Sequence, residues 1–186
     1  MDFYSLLFTQ KLSGGGGGDD QNDALKFLVN RITTKVTAEM LEGVTSIGPG
    51  AFSHCSALTS IPIPSGVTSI GVGAFNGCSA LTSVTIPSSV TSIGHSAFES
   101  CNALASITIP EGATYIGNYA FNYCYSLTSV TVRATTPPTL GYNAFGPTSG
   151  SAITPAIFYV PAASVETYKT AYNWSTYASK IQAIPS

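Results

Sequence analysis

VTSIGVGAFNGCSALTSVTIPSS, residues 67–89, is the stretch that decides the fold, because the chain writes nearly the same string on either side of it. Residues 44–66 read VTSIGPGAFSHCSALTSIPIPSG, 90–112 read VTSIGHSAFESCNALASITIPEG, and 113–135 read ATYIGNYAFNYCYSLTSVTVRAT. Each block is 23 residues long, and Phe52, Phe75, Phe98 and Phe121 keep step with Cys55, Cys78, Cys101 and Cys124 without an insertion. A fixed period of this size marks stacked structural units, each of which touches only its neighbours.

Within a block the apolar positions are Val44, Ile47, Ala51, Phe52, Cys55, Leu58, Ile61 and Ile63, separated mostly by Ser, Thr, Gly and Pro. That spacing fits neither one long helix nor one long strand. Leu58, Ile61 and Ile63 match the L-x-x-L-x-L core of a leucine-rich repeat, a short strand whose side chains at those positions point inward. Val44 to Ile47 predict a second short extended segment on the opposite side of the coil. Pro64 and Gly66, with Pro87, Pro110 and Gly112 at equivalent places, supply the corner. One coil cannot bury its own apolar face, so equivalent positions must stack about 4.8 Å apart as ladders of Phe, Cys, Leu and Ile. The expected fold is mainly β, a leucine-rich-repeat solenoid of 23-residue coils over 44–135 with small helical end pieces.

The flanks are expected to cover the two open ends, whose unpaired backbone would otherwise recruit other chains. GYNAF at 141–145 repeats GNYAF at 117–121 with a shift of 24, so 136–186 reads as a degenerate fifth coil and C-terminal cap, interrupted by GPTSGSAITPA. IFYVP at 157–161 resembles a coil strand. Ser164 is placed to cap a helix carrying Val165, Tyr168 and Tyr172 on one face, with Trp174, Tyr177 and Ile181 finishing the lid. At the other end 24–43 reads as the N-terminal cap, with Leu25, Leu28, Val29 and Ile32 at helical spacing. Residues 1–23 form a separate segment in which the pentaglycine 14–18 is a tether.

Composition narrows the function. The chain has 186 residues, 44% of them hydrophobic and only 9% charged, and a formal net charge of -2. No basic surface exists for a nucleic-acid backbone. No apolar run approaches the roughly 20 residues that span a bilayer. Asp2 stands where a secretory leader would carry positive charge, so the expectation is cytoplasmic synthesis without a leader. The charge deficit belongs to the repeats: between Val44 and Val132 only Glu99 and Glu111 are charged. Stacking sets each side chain over its equivalent, so a charge kept in every repeat would face its own copy about 5 Å away, and Ser, Thr and Gly avoid that repulsion.

The 23-residue unit VTSIGxxAFxxCxxLTSITIPxx resembles that of the BspA-like leucine-rich repeat proteins. The resemblance covers 44–135 residue by residue and, more loosely, the YVP-helix segment near the C-terminus. It implies a non-enzymatic, surface-exposed or extracellular bacterial protein that adheres to a protein or glycan on a host or neighbouring cell. It carries no catalytic motif and no cofactor.

The cysteines recur at a uniform 23 residues, which lines the sulfurs up; metal sites want close pairs that fold back to a tetrahedron, so the expected state is a reduced core ladder. An enzyme would have to use His95 and Glu99, four residues apart, but no nucleophile, orienting group or oxyanion donor accompanies them, and His54, His95 and Glu99 read as solvated turn residues. Tyr115, Tyr119, Tyr123, Tyr125 and Tyr142 crowd the fourth and fifth coils where earlier coils have small or polar residues. They either grip a partner, as tyrosines do at interfaces, or pack beneath the C-terminal lid. The strand faces offer a row of hydroxyls, Ser60, Ser83, Thr85, Ser106, Thr108, Ser129 and Thr131, able to bond a protein or a carbohydrate. Residues 1–12, apolar on one helical face, suggest an alternative: a phage or prophage tail-associated component anchored to a larger assembly.

Overall fold

A computed structural model describes residues 36–38, 41–146 and 157–186. The expectations for residues 1–23, for most of the N-terminal cap and for the body of the insertion lie outside the described residues.

Each coil contributes one strand to each of two sides. The VTSIG side holds β1 (Ser46–Ile47), β3 (Ser69–Ile70), β5 (Ser92–Ile93), β7 (Tyr115–Ile116) and β9 (Thr139–Leu140). The LTSITI side holds β2 (Ser60–Pro62), β4 (Ser83–Thr85), β6 (Ser106–Ile109), β8 (Ser129–Val132) and β10 (Ile157–Val160), with β11 (Ile181–Ala183) behind the last of them. All pairings are parallel. The first side is one sheet in the order β1-β3-β5-β7-β9, whereas the second is split into β2-β4 and β6-β8-β10-β11. Register follows the repeat: Ile47 pairs with Ile70 and Ile107 with Val130, and Ile116 pairs with Leu140 where the sequence shift becomes 24.

The repeated apolar residues are the core. Phe52, Phe75, Phe98, Phe121 and Phe145 stack face to face with centroids 5.1, 5.0, 5.2 and 5.1 Å apart. Cys55, Leu58, Ile61 and their equivalents are buried beside them. Such a column gains from dispersion and from removal of apolar area from water at every step.

A third side, not anticipated as a ladder, ties the coils along the AF segment. The amide N–H of Phe52 donates to the Ala74 carbonyl at 2.7 Å, Phe75 to Ala97 at 2.7 Å and Phe98 to Ala120 at 2.7 Å. The segment then turns twice through the left-handed region, at Gly50, Gly73, Ser96, Tyr119 and Asn143 and again at His54, Gly77, Ser100 and Tyr123. Between the sides the chain passes so close to the preceding coil that a Cβ on Gly71 would lie 2.7 Å from the Pro49 nitrogen and one on Gly117 2.5 Å from the His95 nitrogen. The same close approach holds at Gly94 and Gly141, which is why this position is glycine from the second coil onward.

The C-terminal lid closes the column. Phe158 meets Phe145 edge to face at 5.1 Å, and Trp174, Tyr177 and Ile181 are buried behind it. Tyr168 donates its hydroxyl to the Ala134 carbonyl at 2.7 Å, and the Trp174 indole N–H donates to the Pro138 carbonyl at 2.8 Å. Two details differ from expectation. The Ser164 side chain makes no capping bond to helix α1 (Val165–Thr170), and Tyr172 lies beyond the end of that helix and is 85% exposed. Six residues are too few to carry the apolar face one turn further. Among the described residues β2 is the outermost strand at the other end, and Pro62 there stands where later coils have Thr85, Thr108 and Thr131; lacking an N–H, it cannot donate to a further strand.

Candidate functional site

The two left-handed corners of the fourth coil place Tyr119 and Tyr123. Tyr119, Tyr123, Tyr125 and Tyr142 are 37, 48, 50 and 61% exposed, and Tyr115 in β7 is half-buried. Ring contacts divide them: Tyr119 meets Tyr142 edge to face at 5.8 Å, and Tyr123 lies 6.1 Å from Tyr125. Tyr115 instead turns its hydroxyl to His95 Nε2 at 2.7 Å. Two of the exposed rings sit on strained backbone, Tyr119 with φ of 58° and Tyr123 with φ of 56°. In the first three coils the same corners carry Gly50, Gly73 and Ser96, and His54, Gly77 and Ser100.

Glu99 is not the solvated turn residue that its sequence position suggested. It is half-buried, and its carboxylate accepts from Asn76 Nδ2 at 3.2 Å and from Asn122 Nδ2 at 3.4 Å, bridging three successive coils. His95 is turned to Tyr115, so the partners of His95 and Glu99 are different residues. Asn122 is 95% hidden, and its Oδ1 is the buried acceptor that lacks a partner among the described residues. The signal for this ladder was Asn76, Glu99 and Asn122 at spacing 23, legible only once the column is known to face half inward.

The cysteines form a ladder of thiols with no disulfide. Cys78 Sγ donates to the Phe52 carbonyl at 3.0 Å, Cys101 to Phe75 at 3.2 Å and Cys124 to Phe98 at 3.1 Å. Burial pushes the Cys78 and Cys124 thiols up to about 12 and Cys101 higher still, with the neighbouring Cys55 adding to the effect at Cys78. Thiols so hard to ionise are poor nucleophiles and poor metal ligands. Among the described residues no three His, Cys, Asp or Glu side chains lie close enough to hold a metal ion.

On the second sheet the hydroxyls divide into two sets. Thr82 Oγ1 donates to the Thr59 carbonyl and Thr128 Oγ1 to the Ala105 carbonyl, both at 3.2 Å, stapling each coil to the one before. The backbone N–H of the same threonines reaches the same carbonyls, at 3.1 and 2.9 Å. The third coil has Ala105 in this column, and among the described residues no bond joins it to Thr82. That is where the sheet parts between β4 and β6. Ser83, Thr85, Ser106 and Thr108, all exposed, line a groove of about 520 Å³ along the parting, with Glu111 and Arg133 also on its wall. None of these six side chains hydrogen-bonds another group among the described residues. Ser60, Ser129 and Thr131 belong to the same outer face but do not line the groove.

Parallel strands repeating at 23 residues around a phenylalanine column define a leucine-rich-repeat solenoid. Residues 32–152 match the BspA-type leucine-rich repeat region in six copies, and the chain belongs to that family. Several solved structures are similar to the chain. A leucine-rich-repeat protein of T. pallidum is 27% identical over 69% of this chain and 58% of its own, with a TM-score of 0.56. The pneumococcal vaccine antigen PcpA is 18% identical over 80% of this chain and 39% of its own, with a TM-score of 0.55. A leucine-rich cell surface protein of Faecalibacterium prausnitzii is 33% identical over 58% of this chain and 31% of its own, with a TM-score of 0.49. This chain thus spans from about a third to somewhat over half of the proteins it resembles. No curated protein sequence matches it. Among the described residues no helix is long and apolar enough to cross a membrane.

Proposed function

We propose that this chain is a non-catalytic recognition module of a bacterial surface protein, and that it binds a protein or glycan on a host or neighbouring cell through the tyrosines of its fourth and fifth coils. One observation carries the reading: both left-handed corners of a single coil hold exposed tyrosine. A non-glycine residue in that region costs roughly 1–2 kcal/mol, and a ring left 37% exposed at Tyr119 and 48% at Tyr123 returns only part of what full burial would. Glycine or serine fills both corners in the second and third coils, so the fold itself does not require tyrosine there. Strain held at an exposed aromatic points to a use outside the molecule. Tyr142, edge to face with Tyr119, extends the surface onto the next coil.

The test is binding of the fluorescently labelled chain to cultured mucosal epithelial cells and to neighbouring bacterial species, beside a variant carrying Tyr119→Ser, Tyr123→Gly and Tyr142→Ala. Saturable binding that the variant loses at unchanged melting temperature is the expected result. Equal binding by both proteins removes the tyrosines from the function.

A further inference from the structure

The parting between β4 and β6 has a particular place in the sequence and a chemical character, and both point to a ligand. It falls where Ala105 interrupts the column of threonines. The residues on either side of it in that column, Thr82 and Thr128, each close a hydroxyl and an amide onto the preceding coil, and the alanine has no hydroxyl to give. The consequence is local, since Ala103 N–H still donates to the Ser79 carbonyl before the gap and Thr114 N–H to Thr91 after it. The solenoid therefore stays continuous while one face opens at a single substitution.

The chemistry of the opening is equally particular. Ser83 and Thr85 stand on one side, Ser106 and Thr108 on the other, and each hydroxyl can both donate and accept. At the C-terminal ends of the strands Glu111 takes the place held by Ser65 and Ser88, and Arg133 takes that held by Pro64, Pro87 and Pro110. Glu111 and Arg133 are exposed, and the ion pair among the described residues, Lys169 with Glu166, involves neither of them. Two opposite charges line one groove in a stretch otherwise almost free of charge, and both remain available to a visitor.

We propose that this groove is a binding site for a short oligosaccharide that carries a carboxylate. The Arg133 guanidinium presents a planar fork suited to a carboxylate, Glu111 accepts from sugar hydroxyls, and the four strand hydroxyls exchange hydrogen bonds with the rest of the sugar. A volume of about 520 Å³ lies within the range of small-molecule sites. An extended peptide fits less well, because strand addition draws its specificity from pockets for alternate side chains, and here Val84 and Ile107, which also line the groove, are only 9% and 3% exposed and offer a shallow floor in place of such pockets. The site uses a different segment of the coil from the tyrosines and does not depend on them.

The test is calorimetric titration of the full chain with trigalacturonate, with sialyllactose and with neutral lactose. At least one carboxylated sugar is expected to saturate the chain below about 1 mM, with lactose at least about tenfold weaker. Which of the two binds identifies the acid as a uronate or a sialate. Arg133→Gln should abolish the preference for the acid. Ala105→Thr, which supplies the missing staple, should close the groove and weaken the carboxylated sugar at least tenfold without lowering the melting temperature. Tyr123→Gly should leave the titration unchanged, so failure of the tyrosine reading and failure of this one are separable. No saturation by either acid at about 10 mM, equal affinity for lactose, undiminished binding by Ala105→Thr, or capture of an acidic peptide in place of the sugars would overturn the proposal.

Discussion

Gly94 lies against Gly71 of the preceding coil so closely that a Cβ on Gly94 would stand 2.7 Å from the Gly71 carbonyl carbon and 2.7 Å from the Val72 nitrogen. The obstruction is backbone, which cannot swing aside as a long side chain would. Gly94→Ala is therefore expected to destabilise the chain by about 3 kcal/mol or more, at the upper end for a single methyl because two coils must move apart. Gly73 offers the contrast: its nearest neighbour is Asn76 Cβ at 3.9 Å, and only its φ of +60° opposes a side chain. Gly73→Ala should cost about 1 kcal/mol. Urea unfolding of the two variants measures the difference, and equal losses would mean that coil spacing is not set by the glycine column.

The thiol ladder predicts alkaline lability. Cys78 and Cys124 ionise at about 12 in the folded chain against 9.0 ordinarily, because burial penalises the thiolate. Between these values the unfolded chain has released protons that the folded chain still holds, so stability is full below about pH 9 and falls as pH rises toward 12. Tyr177 and Tyr168, also raised by burial, act in the same direction from pH 10 upward. Denaturation midpoints measured from pH 7 to pH 11 should decline only beyond about pH 9. Iodoacetamide should leave Cys78, Cys101 and Cys124 unlabelled at pH 8 until the chain is unfolded.

The solenoid was legible because its signal is periodic and each period states the same contacts. Phe52 and its copies, Leu58 and Ile61 could be read from one block and checked against three others, and the corner at Pro64 against two. What the sequence hid lies between the coils. Cys101 was legible as a small buried group, but the bond from its thiol to the Phe75 carbonyl depends on which way one coil faces the next. Glu99 read as solvated because a lone carboxylate in a turn usually is, and only the stacking brings Asn76 and Asn122 to either side of it. Ala105 shows in the sequence only as an alanine where the other blocks have Thr59, Thr82 and Thr128. Its meaning required knowing that the threonine it replaces holds two coils together. The tyrosines were visible as departures from the repeat, but their left-handed backbone was not.

The lid should fail in two distinguishable ways. Tyr168→Phe removes the hydroxyl that donates to the buried Ala134 carbonyl and leaves the ring, so a loss of about 1–2 kcal/mol is expected with the state of association unchanged. Trp174→Ala empties a site packed against Phe145, Phe158 and Tyr168 and should cost about 3–5 kcal/mol. It also uncovers the end of the column, where exposed apolar surface favours association. Unfolding curves combined with light scattering separate the two; a monomeric Trp174→Ala chain of near-normal stability would show that the lid does not seal the core.

Tyr123 separates stability from binding most sharply. Its φ of 56° is one that glycine adopts freely, Gly77 occupies the same corner at φ of 72°, and its ring contact, with Tyr125, is itself exposed. Tyr123→Gly relieves strain of roughly 1–2 kcal/mol and returns part of that through the greater freedom of the unfolded glycine chain. The net expectation is a melting temperature unchanged or raised, by up to about 1 kcal/mol in stability. A ring kept for packing would behave oppositely, since its loss would lower the melting temperature by several degrees. Tyr123→Ala completes the argument, because it removes the ring without relieving the backbone and should be less stable than Tyr123→Gly by about 1 kcal/mol. If the alanine variant proves the more stable of the two, the corner is not strained and the case for an outward use of Tyr123 falls with it.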